Sequence, residues 1–331
     1  MTSALLLGSP YQTERYRLMR DELAAHGVAA DVIVDGQPPP TQAVADAQVI
    51  VLDRHYKADA AMIAAAPHLR ALVSPIAGVD HIDIRAATRA GVIVGRGQTP
   101  ENTIGMAEAT VALILASLYD IPSHARIAQG QGPRPTWPLS RLAYGKTLGL
   151  IGFGKIARGV CLRLAGWNIA IKIYSRYPAE DLPPHVTQVP LDEIYRTSDV
   201  ISLHTTLSSD TRGMIDAPAI ARMKAGVILV NTARAALIDE VAVAKAVRDG
   251  HVSRVALDAI DPLPVPADSP LRDIPGALLT PHMLGHTQEG ALNFVRTGVE
   301  SVRRILRGEP PPYVCNPDVV APWVARWSAH A

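Results

Sequence analysis

Cysteine is nearly absent from this chain: Cys161 and Cys315 are the only two in 331 residues. So small a supply excludes a disulfide-stapled scaffold, and no metal-type Cys/His spacing accompanies it. Two buried thiols are expected; a bridge between them is the alternative. Aromatics are also scarce, at 5%, with only two phenylalanines, which describes composition and not activity. No run of five or more Lys/Arg occurs, and 32 basic residues against 31 acidic leave a formal charge of +1. Nothing there offers a surface for nucleic acid or for an anionic membrane. No apolar stretch approaches the roughly 18 residues of a membrane span. The opening MTSALLLGSP holds a four-residue apolar run without a basic leader, so it does not read as a signal peptide. A cytoplasmic protein is the expectation.

What is present is a large apolar fraction, 48%, beside 19% charged residues. That balance fits buried cores and not a disordered chain. The length suggests roughly two domains of about 150 residues. Short β-like runs alternate with helical patterns from the start: ALLL (4–7), DVIV (31–34), VIVL (49–52), ALVS (71–74) and GVIV (91–94). Alternation of this kind predicts a parallel sheet covered on both faces. Asn102 is expected to cap a long helix, NTIGMAEATVALILASLYD, ending near Pro122.

After the Pro/Gly-rich GQGPRPTWP a second alternating set begins. Its strands are TLGLIG (147–152), AIKIYS (170–175), VISLH (200–204), VILVN (227–231), RVALD (254–258) and ALLTPH (277–282). Six β-runs at this spacing describe a doubly wound sheet. The last helix, QEGALNFVRTGVESVRRILRG, carries Val295, Val299, Val302 and Leu306 on one face. It comes after the second sheet is complete, so it is expected to return to the first domain. The expected division is 1–101 with 285–331, and an inserted 102–284. Two crossings near 100–102 and 284–288 would make a hinge with a cleft for a ligand.

GLIGFGKIARG (149–159) follows a strand and opens a helix. Gly152 permits the tight turn. Gly154 lets the backbone approach a pyrophosphate, with Lys155 and Ile156 in the first helical turn. Ala157 is the small residue for close helix–strand packing. The strand, the helix and a second strand 20 residues on together point to dinucleotide binding. That second strand ends in Tyr174-Ser175-Arg176-Tyr177, where an NAD enzyme normally carries Asp or Glu. Ser175 and Arg176 bring no negative charge, and Arg176 suits a 2′-phosphate. NADP(H) is the expected cofactor; a permissive pocket that also takes NAD(H) is the alternative.

Three further segments carry chemistry. VNTARAALIDE (230–240) places Arg234 just after a strand, LLTPHMLGHT (278–287) places His282 after another, and SPIAGVDHIDI (74–84) supplies a loop from the first domain. With these the chain resembles the D-2-hydroxyacid dehydrogenases along nearly its whole length. The motifs that carry the resemblance are GVDHID (78–83), MAEAT (106–110), GKTLGLIGFGKIA (145–157), SDVISLHTTLSSDTRGMI (198–215), MKAGVILVNTARAALIDE (223–240), ALD (256–258) and TPHMLG (280–285).

The resemblance implies an α/β fold of two Rossmann-like domains, a flavodoxin-like substrate domain and an inserted doubly wound dinucleotide-binding domain. It implies a homodimer acting on a small 2-oxo or 2-hydroxy acid, of glyoxylate or hydroxypyruvate type, without a metal. Arg234 would grip the substrate carboxylate and polarise its 2-oxo group, and the amides around Ala77 and Gly78 would hold the carboxylate's other side. His282 would donate a proton to the ketone oxygen. Asp258 would hold the nicotinamide carboxamide or ribose, and Thr206, Ala233 and Gly285 would touch the cofactor. His286 reads as a rim or hinge histidine, and His81 and His204 as structural or cofactor-lining.

One family feature is missing. Family members typically read LDVxxxEP, with a glutamate that hydrogen-bonds the histidine and raises its pKa. Counted without gaps, that position is Leu263. Three readings stay open: Asp261 substitutes, the histidine works unassisted, or the chain is a nicotinamide-binding regulatory or scaffold protein with little turnover. An unusual substrate is the enzyme-side alternative.

Overall fold

Fully buried aliphatic runs make the inner strands Ala4–Leu7, Val49–Leu52 and Ala71–Ser74 of one sheet and Val200–Leu203 and Val227–Asn231 of the other. The structure is a computed structural model and describes residues 3–272, 274 and 276–328. The chain divides into two units, Met1–Asn102 with Thr287–Ala331, and Thr103–His286. Each is described by itself.

The first unit alternates β1 (Ala4–Leu7), α1 (Thr13–Ala25), β2 (Ala30–Ile33), α2 (Thr41–Asp46) and β3 (Val49–Leu52). It continues with α3 (Ala60–Ala64), β4 (Ala71–Ser74), α4 (Ile84–Arg89) and β5 (Ile93–Arg96). β1, β3 and β4 are buried at every position, as a parallel sheet covered on both faces requires. The order is β2-β1-β3-β4-β5, all parallel, which is the flavodoxin-like order. The strand order reverses between β1 and β3, so their connections part there and open a crevice at the carboxyl ends.

α5 (Pro100–Leu118) starts two residues before the expected Asn102 cap. Proline suits a first helical turn because its φ is preset and its missing N–H would have had no partner there. Asn102 instead donates from Nδ2 to Gly97 O at 3.4 Å. The helix also ends earlier than expected, and Pro122 lies in the first turn of a separate helix, α6 (Ile121–Ala128).

The second unit continues with β6 (Thr147–Ile151), α7 (Lys155–Arg163), β7 (Ala170–Tyr174), β8 (Val186–Gln188), α8 (Leu191–Thr197) and β9 (Val200–Leu203). It closes with α9 (Ala217–Ala221), β10 (Val227–Asn231), α10 (Glu240–Arg248), β11 (Val252–Leu257) and β12 (Leu278–Leu279). Its sheet has seven strands, not six, in the order β12-β11-β10-β9-β6-β7-β8. The unexpected β8 is three residues long and carries one buried residue, too little for a hydrophobic period. Expected ALLTPH shrinks to two paired residues.

α11 (Gln288–Leu306) and α12 (Val320–Trp327) return to the first unit. On α11 Val295, Val299 and Val302 are buried with Tyr16, Met19 and Leu23 of α1. Trp323 of α12 is buried and donates from Nε1 to Arg70 O at 2.7 Å. Cys161 is buried, Cys315 is half-buried, and both are free thiols. Among the described residues no group of His, Cys, Asp and Glu is arranged to hold a metal ion. No single helix there is long and apolar enough to cross a membrane.

Candidate active site

In the first unit the loop after β4 is shaped by one buried hydroxyl. Ser74 Oγ lies 2.7 Å from Gly78 O and 3.2 Å from Ile76 O, turning both carbonyls inward. A trans peptide points its N–H opposite its C=O, so the following amides, of Ala77 and Val79, face outward. Among the described residues the amides of Ala77, Gly78 and Val79 have no acceptor. Successive amides without a partner on this loop are available to an anion, and a set of them that converges is a nest. His81 Nε2 lies 3.2 Å from Leu52 O and ties this loop to the end of β3.

In the second unit β6 runs into Gly152, at φ +99. A Cβ there would stand 2.6 Å from the His204 carbonyl, so only glycine fits the turn. Gly154 caps α7 and has nothing within 4 Å of a would-be Cβ, leaving open space over the helix N-terminus. Lys155 and Ile156 follow in the first turn, and Ala157 is wholly buried. Open space, exposed amides and a helix dipole fit a pyrophosphate.

Ser175 is half-buried just past β7. Arg176 pairs with Asp210 at 3.0 Å, with 59% and 67% of the side chains exposed. A pair so exposed holds weakly. Gln188, which sequence reading passed over, bonds Ser175 O at 3.3 Å and Tyr177 O at 3.0 Å and so fixes this loop. His204 follows β9, with Nε2 3.0 Å from Ser202 Oγ, and burial lowers its pKa to about 4. Thr206 is exposed on the next turn, where its carbonyl accepts from Thr211 Oγ1 at 2.8 Å.

Arg234 owes its place to Asn231, the last residue of β10. The wholly buried Asn231 donates from Nδ2 to Arg234 O at 2.9 Å and accepts the Ala233 amide at 3.0 Å. The turn is therefore folded around one carboxamide. Arg234 leaves it half-buried in extended backbone, its Nη1 2.8 Å from Ala233 O. The Asn231 carbonyl also accepts the Asp258 amide at 3.0 Å.

Asp258 is buried at the end of β11, and its Oδ1 accepts from Thr280 Oγ1 at 2.8 Å, Met283 N at 3.0 Å and Leu284 N at 3.4 Å. These donors bracket His282, which sits at φ +57, a left-handed conformation costly for a side-chain-bearing residue. Gly285 follows, buried against Met106. A continuous hydrogen-bonded path thus links the Arg234 turn to the His282 turn across the neighbouring ends of β10, β11 and β12. The Asn231 and Asp258 contacts are the part that the motif reading missed. Buried polar residues at strand ends were the available signal.

Leu263 and Asp261 have other surroundings. Leu263 packs against an apolar cluster that includes Ile260, Leu271 and Ile274. Asp261 is exposed and lines a cavity of about 230 Å³ with Glu240, Asp268 and Ser269. Burial, and after it the adjacent Asp239, raise the Glu240 carboxyl above its ordinary range.

Two stability measurements follow. Removing the Asp258 acceptor with Asp258→Ala should cost about 3 kcal/mol in urea unfolding and speed hydrogen exchange at the Met283 and Leu284 amides. Unchanged exchange there would disprove the clamp. His204 binds its proton less readily folded than unfolded, so its contribution is intact above the ordinary value of 6.5 and is lost as pH falls toward about 4. A loss of about 3 kcal/mol is expected over that window. His204→Gln should flatten that part of the stability–pH curve, and an unaltered slope would place the titration elsewhere.

Comparison with known proteins gives the chain its relatives. Residues 111–283 match the family model described as D-isomer specific 2-hydroxyacid dehydrogenase, NAD binding domain. The chain is 35% identical over 232 residues to D-3-phosphoglycerate dehydrogenase of Bacillus subtilis (strain 168), covering 69% of this chain and 44% of that protein. It thus spans less than half the length of that relative. It is 32% identical over 247 residues to glyoxylate reductase of Korarchaeum cryptofilum (strain OPF8), covering 72% of this chain and 74% of that one. The crystal structure of NAD-dependent formate dehydrogenase from Staphylococcus aureus in complex with NAD superposes with a TM-score of 0.81 at 26% identity. That superposition covers 93% of this chain and 96% of that one. The matched model spans more than half of the chain and includes the Arg234 and His282 turns together with the dinucleotide loop. The chain belongs to the D-isomer specific 2-hydroxyacid dehydrogenase family.

Proposed function

We propose that this protein is an NADP(H)-preferring reductase of a small 2-oxo acid, of the glyoxylate or hydroxypyruvate type. The observation that supports this reading is the path Arg234–Asn231–Asp258–His282 turn, which joins the two turns across neighbouring strand ends of one sheet. A bound nicotinamide would supply hydride. The residues of the chain do the rest: Arg234 attracts the substrate carboxylate and offsets the charge growing on the 2-oxo oxygen, and His282 donates a proton to that oxygen. The amide nest at 77–79 binds carboxylate. Gly152, Gly154, Lys155 and Ile156 receive the pyrophosphate, while Thr206, Ala233, Asp258 and Gly285 border the nicotinamide end. Asp258 takes a second role, as the residue that positions the His282 turn.

Ser175 and Arg176 support the NADP(H) preference. The residues that end β7, Tyr174 to Tyr177, include no carboxylate to accept ribose hydroxyl bonds, and the exposed Asp210 partner of Arg176 yields readily to a 2′-phosphate. NAD(H) is the second cofactor of this reading. We assign the His282 turn to work without the usual glutamate, since Leu263 is used in apolar packing. A homodimer also belongs to this reading. The second unit exposes Ile121, Trp137, Leu142 and Tyr144, and Trp137 is 82% accessible, as expected of residues that a second copy would cover.

Following reduced-cofactor absorbance with glyoxylate and hydroxypyruvate tests the activity. Oxidation is expected with at least one acid, and faster with NADPH than with NADH. Arg234→Gln and His282→Gln should each lower kcat/KM by about 10²–10⁴-fold. No oxidation with any 2-oxo acid would favour a binding or scaffold protein instead. Arg176→Asp should reverse the cofactor ranking by about tenfold or more in kcat/KM; an unaltered ranking would remove Arg176 from cofactor choice.

A further inference from the structure

A buried carboxylate in the first unit has a partner that none of the roles above uses. Asp53 directly follows β3 and is wholly buried. Its Oδ2 accepts the Ser9 amide at 2.8 Å, and its Oδ1 accepts the His55 amide at 2.9 Å. The same Oδ1 stands 3.2 Å from Nδ1 of the His55 ring. An acceptor-only carboxylate serves all three donors, which assigns the ring proton of His55 to Nδ1 and turns Nε2 away from Asp53. One partner is sealed in at 0% exposure and the other is open at 40%. The bond holds the ring of this partly exposed histidine in one orientation.

The position of this pair agrees with contact to a ligand. β3 pairs with β4 in the register Val51↔Val73, so the loop that carries His55 and the loop that carries residues 77–79 leave neighbouring strands at the same end of the sheet. Neighbouring strands are about 4.8 Å apart, within the reach of an imidazole. The Leu52 carbonyl is already joined to the nest loop through His81. The strand order reverses between the paired strands β1 and β3, where this topology opens its crevice, and the Asp53–Ser9 bond joins the chain beyond those two strands.

We propose that His55 is the residue that selects the substrate, by bonding from Nε2 to a hydroxyl on C3 of a 2-oxo acid whose carboxylate occupies the 77–79 nest. This rests on the 2-oxo acid reductase reading and adds the chemistry of the substrate's tail: a 3-hydroxy-2-oxo acid. A hydroxyl suits this position in either protonation state. Neutral His55 accepts its proton at Nε2, and protonated His55 donates to its oxygen. A methyl in its place leaves Nε2 without a partner, and a site built to bond a hydroxyl rejects such an analogue.

Hydroxypyruvate and pyruvate differ only in that hydroxyl, so the ratio of their kcat/KM values is the readout. The wild-type protein should prefer hydroxypyruvate by about tenfold or more. His55→Phe should bring the ratio close to one, and His55→Gln, whose amide still bonds a hydroxyl, should keep part of it. A ratio near one in the wild type, or one that His55→Phe leaves unchanged while turnover continues, overturns this inference alone. Absence of turnover with both acids and both cofactors overturns the reductase reading and this inference with it.

Discussion

Two buried polar side chains, Asn231 and Asp258, decide how the carboxyl edge of the second sheet is finished. Strand pairing stops at those residues, and without them the backbone beyond would have polar groups with nowhere to bond. Asn231 gives its amide and its carbonyl oxygen to the Arg234 turn, and its backbone carbonyl to the start of the Asp258 turn. Asp258 passes the constraint on to residues on both sides of His282. The left-handed backbone of His282 is held by this clamp, because a single residue rarely stays there without surrounding bonds that fix it. The course of the Arg234 and His282 turns therefore depends on two buried side chains that flank them.

Much of the architecture was legible because buried parallel strands have a strong signature. VIVL, ALVS and VILVN are bounded as their apolar runs suggest, since every position faces a covering helix. Legibility falls with length and burial. Val186–Gln188 pairs only at the sheet edge with one residue inward, and nothing in three residues distinguishes it from a loop. GVIV shifted to Ile93–Arg96 because Gly91 takes φ +70 and turns the chain before the strand begins. The Asn102 cap failed for a different reason. Asparagine is a good cap anywhere, but Pro100 two residues earlier is better suited to the first turn, and Asn102 bonds back to Gly97 instead.

The site was legible in its motifs and not in its supports. Gly152 could be read from sequence, because its need for a positive φ follows from the strand–turn–helix context. Gln188 could not, since its bonds to Ser175 and Tyr177 arise from tertiary pairing of β7 with β8. The gap at Leu263 was visible in the sequence, while its physical consequence was not. Leu263 has become part of an apolar cluster, and the nearest acid along the chain, Asp261, lines a cavity with Glu240 and Asp268. Closing on an imidazole would take the exposed Asp261 carboxylate out of solvent, a desolvation cost that works against the move.

The same construction recurs in the two units. Asp53 and Asp258 each directly follow a strand paired on both sides, are sealed from solvent, and accept backbone amides from turns beside a histidine. The chemistry of the acceptor explains why each is an aspartate. Asp53 receives donors at both oxygens, so asparagine would set its own N–H₂ against the Ser9 or His55 amide. Asp258 gathers three donors on one oxygen, which a negative charge strengthens and a neutral amide would not. Neither acid is burdened by an unmatched charge, because N–H and O–H dipoles surround it in place of water. A buried acid of this kind fixes a histidine through the backbone in one unit and through the ring in the other. Backbone clamping sets where an imidazole stands, and ring clamping also sets which nitrogen it offers.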